Sequence, residues 1–182
     1  MKLSYLFTIL ITIFLFVTFF SINHNLESHT FHNDLIQEKE IRFSNLRQLT
    51  FSGENAEAYF SSDGKKLIFQ SHDGDSLCDQ IYIMNIETGS TNMVSTGEGV
   101  ITCSYFVYPD CKKAIYASTH LGNKKCPEKP DYSMGYVWKL YPDYDIFLTD
   151  LQTKSLEQLT SSPGYDAEAT VAFNGSKVVY TS

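Results

Sequence analysis

Residues 46–69 read LRQLTFSGENAEAYFSSDGKKLIF, and residues 156–180 read LEQLTSSPGYDAEATVAFNGSKVVY. Both stretches contain Leu-x-Gln-Leu-Thr, then Ala-Glu-Ala, then an Asp-Gly or Asn-Gly pair that precedes a run of apolar residues. A middle copy of the last part runs from Tyr105 to Tyr116, with Cys111 in the place of the glycine. The sequence therefore contains three copies of one unit.

The spacing of the copies indicates the size of this unit. Phe69, Tyr116 and Tyr180 occupy equivalent positions, 47 and 64 residues apart. The excess in the second interval falls in residues 121–141, which we interpret as an inserted loop. Without the insertion, the period approaches the roughly 40–45 residues of a four-stranded propeller blade.

Turn and strand signals within the copies predict antiparallel meanders. Asp63-Gly64 and Asn174-Gly175 favour tight hairpins, because such turns need backbone φ angles above zero. Residues 80–85 and 145–150 are predicted to be third strands, and the polar turns after them precede short outer strands. The 12 tyrosines and 13 phenylalanines also favour β structure.

These motifs resemble the WD40-like propeller repeats of the TolB type over about residues 46–182. The resemblance implies an all-β fold, a partial β-propeller of about two and a half four-stranded antiparallel blades. It places blade one at 46–95, blade two at 96–160 with the insertion 121–141, and the start of blade three at 161–182. Since closed propellers have about 4–8 blades, we expect a truncated member of this family, with residues 41–50 as an outer strand that would close the ring.

The amino-terminal segment predicts export. Residues 5–22 are an uninterrupted run of apolar and small hydroxyl residues after Lys2, so residues 1–22 are expected to form a hydrophobic helix that is either a signal peptide or a membrane anchor. A helix of that run spans roughly 27 Å, against about 30 Å for a hydrocarbon core, and length does not decide between the two. Residues 23–45 are a polar tether. The positive-inside tendency places the remainder on the non-cytoplasmic side, periplasmic or membrane-anchored.

The charge balance excludes one class of partner. The chain has 14 Lys and Arg against 21 Asp and Glu. Without residues 1–22, which contain only Lys2, the balance is 13 against 21, a net charge of −8. A nucleic-acid partner is excluded, because phosphate binding requires positive charge.

Propeller topology collects the loops before each innermost strand and after each second strand on one face, and here that face is acidic. Glu57 and Glu168 begin innermost strands, and Asp166 precedes one of them. A ring of these carboxylates can hold a cation or a basic ligand, or it can accept hydrogen bonds from the neighbouring blade. All three are candidate ligand-binding residues.

A second group of carboxylates suggests a metal. Asp73, Asp75 and Asp79 resemble a calcium loop superficially, although the glycine at loop position six and the terminal Glu of an EF-hand are missing. Calcium is thus a candidate ligand, with a solvated turn as the alternative. No other cofactor is expected.

Four cysteines in an exported chain suggest disulfides. We favour Cys78 with Cys126, with Cys103 bonded to either of them as the alternative, because Cys111 falls on the opposite face. The spacing is not that of a zinc site. His72 and His120 are interpreted as histidines on loop surfaces.

The insertion 121–141 contains Tyr132, Tyr136, Trp138 and Tyr141. Tyr132 and Trp138 are candidate ligand-binding residues, because aromatic rings over a propeller mouth can stack on a sugar or a peptide. Alternatively, the rings cover the edge of the blade.

The sequence leaves two functions open. The first is a non-enzymatic, exported or membrane-anchored binding or scaffold module for a protein, peptide or glycan, with a Tol-like role; its membrane contact would be the uncleaved amino-terminal segment. The alternative is the propeller domain of a hydrolase, either a prolyl-oligopeptidase-like peptidase or a carboxylate-based enzyme, whose catalytic part is missing from this chain. No catalytic residue is assigned, because the nearest approach to a G-x-S-x-G nucleophile elbow is Gly74-Asp75-Ser76-Leu77-Cys78.

Overall fold

The computed structural model of the protein describes residues 35–73, 78–128 and 130–182. The predicted hydrophobic helix over 1–22, most of the tether and the calcium candidate Asp75 lie outside the described residues. Within those ranges, no helix is long and apolar enough to cross a membrane. The chain divides into two units, Met1–Gln48 and Leu49–Ser182.

The second unit consists of strands joined by turns and loops, with no α-helix in its described residues. The ten described strands are β1 (Glu54–Phe60), β2 (Lys66–His72), β3 (Gln80–Asn85), β4 (Thr91–Met93), β5 (Ile101–Phe106), β6 (Lys113–Ser118), β7 (Asp145–Asp150), β8 (Leu156–Gln158), β9 (Ala167–Val171) and β10 (Val178–Thr181). They form three antiparallel sheets in meander order: sheet one is β1-β2-β3-β4, sheet two is β5-β6-β7-β8 and sheet three is β9-β10. The prediction of two four-stranded meanders and the first two strands of a third is confirmed.

The first hairpin of each sheet depends on a short polar side chain. Asp63 Oδ1 accepts hydrogen bonds from Ser61 Oγ at 2.7 Å and from the backbone N–H of Lys65 at 3.1 Å. The next residue, Gly64, has a φ of 69°. Asn174 fixes the turn of sheet three by accepting from the backbone N–H of Ser176. These side-chain bonds stabilise the turns that the sequence predicts.

The same chemistry recurs where the outer strands begin. Asn85 Oδ1 accepts from the backbone N–H groups of Glu87 and Thr88, both at 3.0 Å. Asp150 Oδ1 accepts in the same way from the two equivalent residues in sheet two. Each turn reverses the chain into a three-residue outer strand.

The core lies between the sheets. Ile68 and Ile81 of sheet one pack in one buried cluster with Phe106, Tyr116 and Phe147 of sheet two. Burying a side chain of this size contributes about 1.5–3 kcal/mol. A second cluster joins sheet two to Ala169 and Val171 of sheet three. The sheets therefore stack face to face, as neighbouring blades do.

Residues 41–50 form no strand in this structure. The expected strand would pair with a further blade, and every described strand pairs within its own sheet. The closing strand therefore stays a prediction, since a strand requires a hydrogen-bonded neighbour.

Candidate functional site

The innermost strands β1, β5 and β9 share an irregularity that places three side chains. Each strand shifts register against its hairpin partner at the same point, so that two residues oppose one. The first residue of each bulge has a positive φ: 51° at Glu57, 51° at Cys103 and 59° at Glu168. Bulges of this kind reorient a side chain relative to the ladder. The repeat therefore presents Glu, Cys and Glu at equivalent positions of three adjacent sheets.

The charges of Glu57 and Glu168 both act on the thiol of Cys103, which occupies the middle one of the three bulges. Burial raises the pKa of its thiol to about 12, and the carboxylates of Glu57 and Glu168 add to this effect. The thiol is therefore protonated at neutral pH and is a poor nucleophile. Cys103 is a buried free cysteine, so its pairing with Cys78 or Cys126, the alternative in the sequence analysis, does not form.

A disulfide fixes the inserted loop to sheet one. Cys78 and Cys126 are bonded, with 5.5 Å between their Cα atoms and 48 residues between them in sequence. This is the pair that the sequence analysis favours. The bond joins the β2–β3 loop to the insertion between β6 and β7.

A polar network begins beside this disulfide. Nδ1 of His72 lies 2.5 Å from Oδ1 of Asp79, and its Nε2 lies 3.8 Å from a carboxylate oxygen of Glu54. The second oxygen of Asp79 accepts a hydrogen bond from Gln70 at 2.9 Å. Gln70 in turn accepts from Thr102 Oγ1 at 3.0 Å. The network thus crosses from sheet one to sheet two.

The insertion and this network enclose a cavity of about 610 Å³, which we call the aromatic cavity. Its polar lining includes Glu54, Glu57, His72 and Asp79, beside the disulfide. The insertion contributes further lining residues, among them Pro127, Pro130, Tyr132, Tyr136, Trp138 and Tyr141.

The aromatic lining of this cavity is held by contacts within and beyond the insertion. The rings of Tyr132 and Tyr136 are stacked, with 6.2 Å between their centroids. The indole N–H of Trp138 donates to the hydroxyl of Tyr165, which lies in the loop before β9, at 3.3 Å. The insertion is therefore attached to the β2–β3 loop by the disulfide and to the loop before β9 by this hydrogen bond.

The structure brings some of the candidate residues together and separates others. Glu57, Asp79, Tyr132 and Trp138 line the aromatic cavity. Asp166 is only 2% exposed, and Glu168, which accepts from Thr181 Oγ1 at 2.7 Å, does not line it. The proposed carboxylate ring is therefore interrupted at Cys103.

The calcium candidates are engaged in other contacts. Asp73 accepts a hydrogen bond from Ser52 Oγ at 3.1 Å, and both oxygens of Asp79 are occupied by His72 and Gln70. Among the residues that the structure describes, no three His, Cys, Asp or Glu side chains are close enough to hold a metal ion.

Sequence reasoning missed Glu54, Gln70 and His72 as parts of the site. His72 was expected on a loop surface, but only 13% of its side chain is exposed. The β2–β3 pairing of Ser71 with Gln80 places His72 opposite Asp79, so the predicted strand register contained a signal for this pair.

Comparison with known proteins identifies the fold. TolB from Acinetobacter baumannii is similar at a TM-score of 0.56 and 22% identity, covering 75% of this chain and 29% of that one. A protein assigned as TolB from Agrobacterium tumefaciens is similar at 0.52 and 22% identity, covering 72% of this chain and 39% of that one. An oligogalacturonate lyase in complex with manganese is matched at a TM-score of only 0.41.

The chain spans less than half the length of these solved structures. No protein-family model matches it, and no curated protein has a detectably similar sequence. The similarity shows the fold: the described strands form two complete blades and the first two strands of a third in a TolB-type β-propeller.

Proposed function

We propose that this chain is a non-enzymatic binding module that takes a segment of peptide or glycan in the aromatic cavity. The observation that carries the proposal is a set of solvent-exposed aromatic side chains on a loop that is fixed at both sides. Trp138 is 46% exposed and Tyr136 is 80% exposed. Exposed aromatic groups that line a concavity, with a few polar groups opposite, are typical of ligand sites.

The contacts that fix the loop support binding by a preformed surface. The Cys78–Cys126 bond and the Trp138–Tyr165 hydrogen bond restrict the insertion before any ligand arrives. A loop that is already ordered loses less conformational entropy on binding. The cavity is thus suited to recognition without rearrangement.

The polar groups favour binding over hydrolysis. The His72 and Asp79 pair has the spacing of a base and its orienting carboxylate, but the second nitrogen of His72 faces Glu54. No hydroxyl or thiol in the described residues is hydrogen-bonded to His72 at that nitrogen. The Cys103 thiol remains protonated at neutral pH because of its raised pKa. A nucleophile activated by a base is needed for covalent hydrolysis.

We extend the proposal to location. The Cys78–Cys126 bond favours an oxidising compartment, since disulfides are rare in reducing cytosol. Together with the apolar residues 5–22, this supports a module that acts outside the cytoplasm, periplasmic or membrane-anchored. A Tol-like role in protein contact is consistent with that location.

The test uses peptide and glycan arrays probed with the full chain. Trp138 is the only tryptophan, so its fluorescence reports directly on the cavity. We expect the peptides or glycans that bind to change the fluorescence emission of Trp138. The substitution Tyr136→Ala should lower their affinity at least tenfold. The control is Tyr180→Ala, since Tyr180 is also an exposed tyrosine but lies on β10, away from the lining of the cavity. Binding that survives Tyr136→Ala, or that never alters Trp138 emission, contradicts the proposal.

A further inference from the structure

We propose that the aromatic cavity recognises a positively charged side chain, the ammonium of lysine or the guanidinium of arginine in a peptide. This inference rests on the proposed function and specifies the chemistry of its ligand. It follows from the charges, the ring faces and the size of the cavity.

Among the described residues, the carboxylates give the lining of the cavity a negative charge. Its carboxylates come from Glu54, Glu57 and Asp79, and the remaining titratable side chain is His72. Neither lysine nor arginine occurs among its described lining residues. The formal net charge of the whole chain is also negative, at −7. An approaching cation is attracted both by the chain and by the cavity.

The three carboxylates differ in their capacity to accept a ligand. Both oxygens of Asp79 already accept bonds from His72 and Gln70. Glu54 is 78% exposed on its side chain, with His72 at 3.8 Å. Glu57 is exposed, and its carboxylate accepts a hydrogen bond from the protonated Cys103 thiol beside it. Glu57 can therefore pair with a ligand cation through its remaining acceptor positions, while Asp79 positions His72.

The part of the lining that comes from the insertion provides aromatic faces. Tyr132, Tyr136 and Trp138 belong to it, each about half-exposed or more. Aromatic faces attract ammonium and guanidinium groups within about 6 Å of the ring centre, and tryptophan attracts them most strongly. A side chain with an apolar stem and a charged end fits between rings and carboxylate.

The chain contains an internal example of this contact. The ammonium of Lys139 lies 5.1 Å from the centroid of the Tyr141 ring. Lys139 lines a smaller cavity of about 130 Å³ that shares Tyr132, Tyr136, Trp138 and Tyr141 with the aromatic cavity. The insertion therefore accepts a lysine at one ring, and Tyr136 and Trp138 present further exposed ring surface.

The size favours a peptide over a bare ion. A volume of about 610 Å³ falls within the roughly 300–1,000 Å³ of small-molecule sites. Among the described residues, no three His, Cys, Asp or Glu side chains are arranged so that they could hold a metal ion. A short extended peptide with one basic side chain fits a volume of this size.

The experiment compares three pentapeptides of the form acetyl-Gly-Gly-X-Gly-Gly-amide by titration of Trp138 fluorescence in the full chain. X is lysine, norleucine or glutamate; norleucine keeps the apolar stem of lysine without the ammonium. The lysine peptide can form one cation–π contact and one ion pair that the norleucine peptide cannot form. We therefore expect its affinity to be about tenfold higher or more. The glutamate peptide should be weakest.

Matched variants assign the effect to the cavity. Glu57→Gln should lower the affinity for the lysine peptide several-fold and leave the norleucine peptide unchanged. Glu87→Gln removes an exposed carboxylate from the β3–β4 turn and should change neither.

The outcomes separate this inference from the proposed function. Equal affinity for the lysine and norleucine peptides overturns the charge preference but leaves binding in the cavity intact. If a neutral glycan binds and no lysine peptide does, the charge preference is likewise overturned while binding in the cavity stands. If no probe of any charge alters Trp138 emission, both proposals fail.

Discussion

Gly64 and Gly175 share almost the same backbone conformation but differ in what surrounds them. Their φ angles are 69° and 71°. A Cβ at Gly64 would meet no atom within 4 Å, whereas one at Gly175 would lie 2.4 Å from the carbonyl oxygen of Tyr108. The turn of sheet three therefore packs directly on sheet two.

Alanine substitutions at these two glycines test that contact. Gly64→Ala should lower the free energy of unfolding by about 1–2 kcal/mol, the cost of a Cβ in the left-handed region. Gly175→Ala should lower it further, because backbone at Tyr108 must move as well. Urea unfolding measures both, and equal losses would show that the two turns are not packed differently.

The bulge residue Glu57 is expected to lower the stability of the fold while it strengthens the binding of a cationic ligand. Its φ of 51° is unfavourable for a residue with a Cβ. Glu57→Gly should therefore raise the free energy of unfolding by about 0.5–1 kcal/mol while weakening a cationic ligand. Glu54→Gly, in the same strand without a positive φ, should lower it in the same urea titration. A loss of stability in both variants would argue against the strained bulge.

Cys103 should be unreactive in the folded chain and should affect stability at alkaline pH. Burial raises its pKa from 9.0 to about 12, so the folded state retains a proton that the unfolded state loses. Stability should fall as the pH rises from about 9 towards 12, and the slope should be smaller in Cys103→Ala. Below pH 9, a thiol reagent should label the partly exposed Cys111 first. Equal labelling rates for the two thiols would contradict this account.

At the scale of the elements, the sequence predicts the strand bounds that nearby turn residues determine. The strands β3 and β7 have the predicted bounds, because turn residues with side-chain caps delimit them. The bulges were not predicted, since a non-glycine residue with positive φ leaves no reliable signal in one sequence. The aromatic cavity depends on where the insertion is fastened, which is a tertiary contact between distant loops.

The disulfide should stabilise both the fold and the insertion. A cross-link that closes a loop of 48 residues contributes about 4 kcal/mol in the chain-entropy model. The double variant Cys78→Ser, Cys126→Ser should lose up to that amount in urea unfolding. Its Trp138 emission should also shift to the red as the insertion loosens. Cys111→Ser, the control for losing a thiol, should not shift the emission, and an unchanged spectrum in the double variant would show that the bond does not hold the loop.

At the scale of the whole molecule, the two ends of the stack of sheets differ in how far they are covered. On sheet one, Leu67, Phe69 and Met84 form a buried cluster against which the partly buried Leu49 packs, beside a cavity of about 430 Å³. On sheet three, Val179 is 70% exposed. The solved TolB structures are more than twice as long as this chain's matched part, and in a closed ring such faces lie between blades.

The repeat therefore makes the order of the stacked sheets predictable from the sequence. It does not make the identity of a ligand predictable. The inter-sheet clusters follow from apolar residues at equivalent positions of each copy. The insertion occurs in one copy only, so the repeat contains no information about its path. The proposed contacts of Tyr132, Tyr136 and Trp138 with a ligand depend on that unrepeated part.

The most direct test of a preformed cavity is the indole N–H resonance of Trp138 in a proton–nitrogen spectrum, where the single tryptophan gives one peak. The structure predicts a dispersed peak with nuclear Overhauser contacts to the ring of Tyr165, its hydrogen-bond partner at 3.3 Å. The peak should shift when the lysine pentapeptide is added and not when the glutamate pentapeptide is added. A peak at the random-coil position, without contacts to Tyr165 and unmoved by every peptide, would contradict the account.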